Sequence, residues 1–289
     1  MKNALLFSVC ALLVFSSCEK SKEARAKAII ETAEDNSTMS AEYNAIFDMS
    51  DNVSRDEDLN NLIAGKGNGK QPFTSKANNY LPDCATATYD SASTTLSINY
   101  GTTNCLCKDG RYRKGVVTLT YEGQYLDSGS VVKLSVYDYY VQDIKFNGTK
   151  TITNLGNASG SYRFAYEVKN ASAETEKGTI SWETNAEITK TKGNDTPFWP
   201  FDDEYIVTGT SRGTNRNGVD YRVETTVPLK KRNEFNIACL KHYVSGVLRL
   251  EDDDDNFILI DYDPVGGEPC DLVARINING DYEENFYLN

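Results

Sequence analysis

From residue 96 to the C-terminus, apolar or β-branched side chains alternate with polar ones in short runs such as LSINY (96–100), VVTLTYEGQY (116–125), VVKLSVYDYYV (131–141) and TISWETNAEITKT (179–191). A period of two places every second side chain on one face of a strand. Further runs follow at KTITN (150–154), YRFAYEV (162–168), YIVTGT (205–210), VDYRVETTV (219–227), YVSGVLRL (243–250), FILIDY (257–262), LVARINI (272–278) and NFYL (285–288), and no helical pattern interrupts them. Between them stand Asp109-Gly110, Asn147-Gly148, Asn217-Gly218 and Asn279-Gly280. These dipeptides suit the left-handed turns that join adjacent antiparallel strands. The pattern predicts an all-β, hairpin-rich antiparallel domain over residues 80–289. Periodicity assigns faces and not neighbours, so a sandwich, an open barrel and a curled meander all fit.

The upstream chain reads differently. Met39, Tyr43, Ile46, Phe47 and Val53 fall at helical spacing, and Ser54 with Glu57 has the form of a capping box. One or two short helices are predicted within residues 39–72, closed by the GKGNGKQP break at 65–72. Residues 18–38 carry few large apolar side chains, which predicts a tether with little core to bury. Before them, Lys2 precedes an apolar run from Ala4 to Phe15 that stops at Ser16-Ser17-Cys18. A positive start, an apolar core and small residues before the cut describe a secretory signal peptide over residues 1–17. Its ending on cysteine resembles the bacterial lipobox, which makes Cys18 a lipidated mature N-terminus. The apolar run is shorter than the roughly 20 residues that span a bilayer. The expected location is the cell envelope, lipid-anchored, at the outer membrane, with the periplasmic or surface face left open.

Composition narrows the partners. The chain holds 42 acidic and 30 basic residues, a net charge of −12, which makes nucleic acid an unfavourable partner. Eighteen tyrosines stand against a single histidine, which suits half-buried β surface.

With Cys10 in the signal peptide and Cys18 lipidated, Cys84, Cys105, Cys107, Cys239 and Cys270 remain. Export permits disulfides. A weak internal repeat runs cysteine, hairpin, turn, cysteine, aspartate, strand, once from Cys84 through Cys105 to Asp109 and again from Cys239 through Cys270 to Asp271. It predicts the pairs Cys84 with Cys105 and Cys239 with Cys270, and Cys84 with Cys107 is the alternative. Cys105-Leu106-Cys107 has the wrong spacing for a structural zinc site, so neither metal nor cofactor is expected.

The lipobox at Cys18 together with INYGTTNCLCKDGRYRKG (98–115), YYVQDIKFNGTKTITN (139–154), DDEYIVTGTSRGTNRNGVDY (202–221) and IDYDPVGGEPCDLVARINING (260–280) resembles a group of uncharacterised lipoproteins from Bacteroidota. The resemblance covers most of residues 84–280 and implies class and location rather than an activity. The acidic run Glu251 to Asp255 departs from it, at a hairpin tip where a short neutral turn is expected.

Candidate chemistry is sparse. Asp109, Arg111 and Arg113 read either as an anion site or as a turn with solvated arginines. The run from Glu251 to Asp255 lacks the spaced ligands of a calcium loop and reads as a solvated turn. The best candidate ligand site is Phe198 and Trp199 beside Asp202 and Asp203, where rings and carboxylates together suit a sugar or peptide. A plug over the sheet is the competing reading of the same segment. No nucleophile elbow, zinc-protease or phosphate-loop motif is present, and His242 is the only imidazole, so no catalytic residue is assigned. The favoured function is a non-catalytic envelope lipoprotein that binds a glycan, a peptide or an outer-membrane partner. The alternative is a carboxylate-dependent polysaccharide hydrolase drawing on Asp202, Asp203 or Glu204.

Overall fold

The computed structural model describes residues 5–66, 69–73, 81–158, 160–196, 199–234, 236, 239, 242–253 and 256–287, with side chains from Lys22 onward except at 66, 158, 200 and 286. Cys18 lies within the first helix, its side chain outside the described set, and Phe198 lies outside the described residues altogether. Two helices precede the sheet: α1 (Leu5–Ser54) and α2 (Glu57–Asn61), the latter followed by a π turn at Leu62–Lys66. Among the described residues no helix is long and apolar enough to cross a membrane.

The strands are β1 (Lys70–Phe73), β2 (Thr86–Asp90), β3 (Thr95–Asn99), β4 (Cys105–Leu106), β5 (Tyr112–Glu122), β6 (Val131–Val141), β7 (Ile144–Ala158) and β8 (Ser161–Thr175). They continue as β9 (Gly178–Lys192), β10 (Glu204–Thr214), β11 (Asp220–Arg232), β12 (Ser245–Asp252), β13 (Phe257–Asp261), β14 (Val273–Ile278) and β15 (Tyr282–Tyr287). All belong to one antiparallel sheet in sequence order, with β3 and β4 both paired to β5. Among the described residues no pairing joins β1 to β15, so the sheet is an open meander. It begins at Lys70 rather than near Tyr80. Pro72 is tolerated in β1 because that strand is an edge, paired on one side only.

The sheet curls around α1. Helix side chains meet β5 through Ser54 and Tyr121, β6 through Glu42 and Tyr139, β8 through Phe47 and Phe164, and β11 through Asp48 and Lys231. Ile29, Met39, Tyr43, Ile46, Phe47 and Val53 are buried on the helix against the inward residues of the strands. Full burial of one such side chain contributes roughly 1.5–3 kcal/mol.

Three local expectations change. The tether reading of residues 18–38, partly helical, gives way to a helix packed on the β domain: Ile29, Thr32, Asp35 and Asn36 are buried, and the polar ones hydrogen-bond to β9 and the β10–β11 turn. Ser54 does not cap α2. It ends α1 and pairs with the Tyr121 hydroxyl at 2.9 Å, while Asp56 accepts from the backbone of Asp58 and Leu59. Asn147-Gly148 is not a hairpin turn but a bulge inside β7, and the β6–β7 turn uses Gln142 and Asp143, both at positive φ. Asn217-Gly218 and Asn279-Gly280 do join strands as expected.

Candidate functional site

Charged residues on one side of α1 fix its place. Glu42 Oε2 accepts from Arg111 at 2.9 Å and Arg113 at 3.2 Å, and its Oε1 accepts from the Tyr139 hydroxyl at 2.6 Å. Asp109 bonds both arginines from the turn. Although burial opposes ionisation there, hydrogen bonds and charge from Arg113 and Arg111 hold the Asp109 carboxyl well below the usual carboxylate range. Asp109 does sit in the β4–β5 turn, but the arginines are not solvated: both pair with a helix carboxylate and one of them is buried. On the same face as Glu42, Asp35 pairs with Arg216 while accepting its backbone N–H at 2.7 Å; on the opposite face Asp51 pairs with Arg55 one turn on and reaches the sheet by accepting from the Tyr125 hydroxyl at 2.6 Å. Buried ion pairs add little net stability, but losing one partner is costly, so such pairs fix position.

On its other side α1 stands off the sheet. A groove of about 750 Å³ runs between the helix and strands β9 to β15. The centre of its helix wall is Ile30, Glu34, Ser37, Ala41 and Asn44, at i, i+4, i+7, i+11 and i+14, flanked by Ala33, Asn36, Thr38 and Ser40. At 1.5 Å per residue those positions cover about 21 Å of helix axis. Opposite lie Trp182, Val207, Leu248, Ile260 and Tyr262. Two features keep the space open. The wall carries small side chains at Ser37 and Ala41, facing Ala186, Gly209 and Thr225, and the ion pairs above hold the helix at a fixed distance. The volume falls within the range of small-molecule sites.

The polar groups of the groove are mostly committed. The Trp182 indole N–H donates to Asn36 Oδ1 at 3.0 Å, and Asn44 Nδ2 donates to the Tyr243 hydroxyl at 3.3 Å. Arg216 is the one lysine or arginine among the described lining residues, and Asp35 pairs with it. His242, the single histidine, also lines the groove. A second concavity of about 520 Å³ lies over β9 to β12, but its charges are paired across strands, Arg212 with Glu183 at 2.7 Å and Arg222 with Glu251 at 3.4 Å.

The aromatic and acidic segment singled out in the sequence is divided by the fold. Trp199 is half exposed, its ring edge-on to Phe201 at 5.3 Å. Asp203 turns inward, pairs with Lys190 at 2.5 Å and accepts from the Tyr205 hydroxyl at 2.6 Å. Burial raises the Asp203 carboxyl above its ordinary range despite Lys190. Asp202 accepts from the Thr196 hydroxyl at 2.7 Å, and Glu204 pairs with Lys192 at 2.7 Å. Asp203 and Glu204 are thus engaged by Lys190 and Lys192, while Asp202 stays in the loop that carries Trp199, on the hydroxyl of Thr196, whose carbonyl accepts the Trp199 backbone N–H. The acidic run has a structural task at its start, where Asp252 accepts from the backbone and side chain of Asn256 in the β12–β13 turn.

Cys84 joins Cys105 and Cys239 joins Cys270, with Cα atoms 5.7 and 5.0 Å apart. Each bond closes over a hairpin, β2–β3 in one case and β12–β13 in the other. Cys107 is the free, buried thiol among them. Glu234 lies beside Cys239 and Cys270, but the two sulfurs are bonded to each other and offer no thiolate to a metal.

Sequence reasoning missed the groove, because its helix wall lies partly in the stretch read as a tether. The signal that would have found it is the recurrence of Ala33, Ser37 and Ala41 at i, i+4 and i+8 between larger residues. No family model, no curated protein and no solved structure matches the chain.

Proposed function

We propose that the chain is a non-catalytic, lipid-anchored binding protein of the cell envelope whose ligand site is the groove between α1 and strands β9 to β15. The single observation that carries this reading is a groove of about 750 Å³ left unfilled by the core, with apolar side chains such as Val207, Leu248, Ile260 and Tyr262 on its sheet side and a mixed polar and apolar helix side. Burying apolar surface there contributes about 0.8 kcal/mol per CH₂ group, so an apolar or amphipathic molecule gains more than a glycan does. The exposed ring of Trp199, with Asp202 in the same loop, remains a secondary contact surface. Tethering through Cys18 rests on the lipobox, and it sets the groove close to a membrane.

Two measurements test the reading. Nile red, an uncharged dye whose emission rises in apolar surroundings, should bind the full-length protein, and Ala41→Phe should reduce that binding at least fivefold. Equal binding by the variant would place the dye elsewhere and reject the groove. For the anchor, Cys18→Ser should move the protein out of the membrane fraction, and its retention there would reject lipidation as the tether.

A further inference from the structure

We infer that the groove takes a single acyl chain bearing an uncharged polar head, drawn from the membrane to which the chain is tethered; this rests on the binding reading above and names its ligand class. Along the helix the lining extends about 21 Å at 1.5 Å per residue from Ile30 to Asn44, long enough to lay an extended acyl chain beside the helix. Its helix wall is continuous with Cys18, 12 residues ahead of Ile30 on the same helix and so about 18 Å along the axis. A lipid leaving the bilayer at the anchor meets this end of the groove first. The same end carries β15, where Lys22 reaches Asp281 in the β14–β15 turn at 3.5 Å.

Charge decides the head. A phosphate or carboxylate head is held most strongly by an arginine or lysine. Arg216 is the one such residue among the described lining residues, and its guanidinium and backbone N–H are both bonded to Asp35, which is fully buried. Glu34 and Glu284 line the same groove and repel an anion. The uncharged polar groups on the helix wall are the Ser37 hydroxyl, the Ser40 hydroxyl oxygen, whose hydrogen goes to the Ser37 carbonyl at 3.2 Å, and Asn44, whose amide nitrogen donates to Tyr243 while its oxygen can accept from a neutral head.

Trp182 supplies the test, since it lines the groove and is one of only two tryptophans. Full-length protein carrying Trp199→Phe, in phosphatidylcholine nanodiscs, is titrated with monoacylglycerol brominated in mid-chain and with the lysophosphatidic acid of the same chain. Bromine quenches an indole only near contact. The expected result is that the monoacylglycerol quenches Trp182 by half or more, that the phosphate-bearing lipid needs at least tenfold higher concentration, and that Ser37→Phe and Ala41→Phe each weaken quenching at least fivefold. Both substitutions fall on exposed helix positions, so a cooperative melt is expected to be retained and is measured alongside. Equal or tighter binding of the phosphate lipid would overturn the uncharged head. Quenching untouched by both substitutions would overturn the groove as the acyl site. Nile red binding without quenching by either lipid rejects the acyl class alone, whereas absence of both rejects the binding reading as well.

Discussion

The Tyr43 hydroxyl on α1 donates to the carbonyl of Asn147 at 2.8 Å, above the bulge where Gly148 lets β7 pass beneath the helix. Gly148 has a φ of +134°, and a Cβ there would sit 2.4 Å from the Tyr43 oxygen and 2.7 Å from the Ala171 Cα. The glycine is therefore required by close approach as well as by backbone conformation. Gly148→Ala should destabilise by about 2–4 kcal/mol, combining strain with displacement of the helix. Tyr43→Phe, which only leaves one carbonyl unpaired, should cost about 1 kcal/mol. Urea midpoints of the two variants check the order.

Glu42 ties α1 to β5 and β6 through Arg111, Arg113 and Tyr139. Glu42→Ala leaves the Arg113 guanidinium buried without its helix partner and should cost about 3–5 kcal/mol. Arg111 is 29% exposed at its side chain, so Arg111→Gln should cost about 1 kcal/mol or less. Equal losses at both positions would contradict this placement.

Lys150 is fully buried, donates to the Tyr43 carbonyl at 2.8 Å and lies over the Phe47 and Tyr166 rings. Burial pushes its ammonium down from 10.5 to about 7. Between those values the unfolded chain holds a proton that the folded chain lacks, so this group's contribution rises with pH across that window. The slope is about 1.4 kcal/mol per pH unit at its steepest. Wild type should therefore gain stability relative to Lys150→Met between pH 7 and pH 9, read from urea midpoints. Parallel profiles would mean that the ammonium stays charged, held by the carbonyl and the rings.

Trp199 is 50% exposed and touches Phe201 edge-on. Trp199→Ala should shift stability by less than about 1 kcal/mol, far below the roughly 3–5 kcal/mol expected if the ring plugged the sheet. Nile red binding should be unchanged in the same variant. A large loss of stability would restore the plug reading.

The disulfides close sequence separations of 21 and 31 residues. Loops of this size contribute about 3 kcal/mol each on the chain-entropy account. Peptide mapping without reduction should recover the two pairs and leave Cys107 unlinked. Burial raises the Cys107 thiol, despite the opposing pull of Arg113, so iodoacetamide should label it slowly in the folded protein and rapidly in urea.

The alternation of runs such as Val131 to Val141 determined that the chain makes antiparallel strands, since a period of two is a local property that any half-buried strand displays. The repeat of cysteine, hairpin and cysteine likewise lay in the sequence, and its two copies carry the bonds that join Cys84 to Cys105 and Cys239 to Cys270. What α1 does was decided only in three dimensions. Its buried residues include Thr32, Asp35, Asn36, Glu42 and Asp51, so the apolar spacing legible from Met39 to Val53 does not extend back over residues 30–38. Those polar positions become buried only because Arg216, Trp182, Arg113 and Tyr125, each far away in sequence, supply their hydrogen bonds. The same long-range pairing turned the expected turn at Asn147-Gly148 into a bulge under Tyr43. It also drew Asp203 away from Trp199 toward Lys190. The groove is a consequence of this arrangement: a space between a helix and six or more strand elements has no local signature, because each lining residue follows its own element's pattern and only their meeting makes a site.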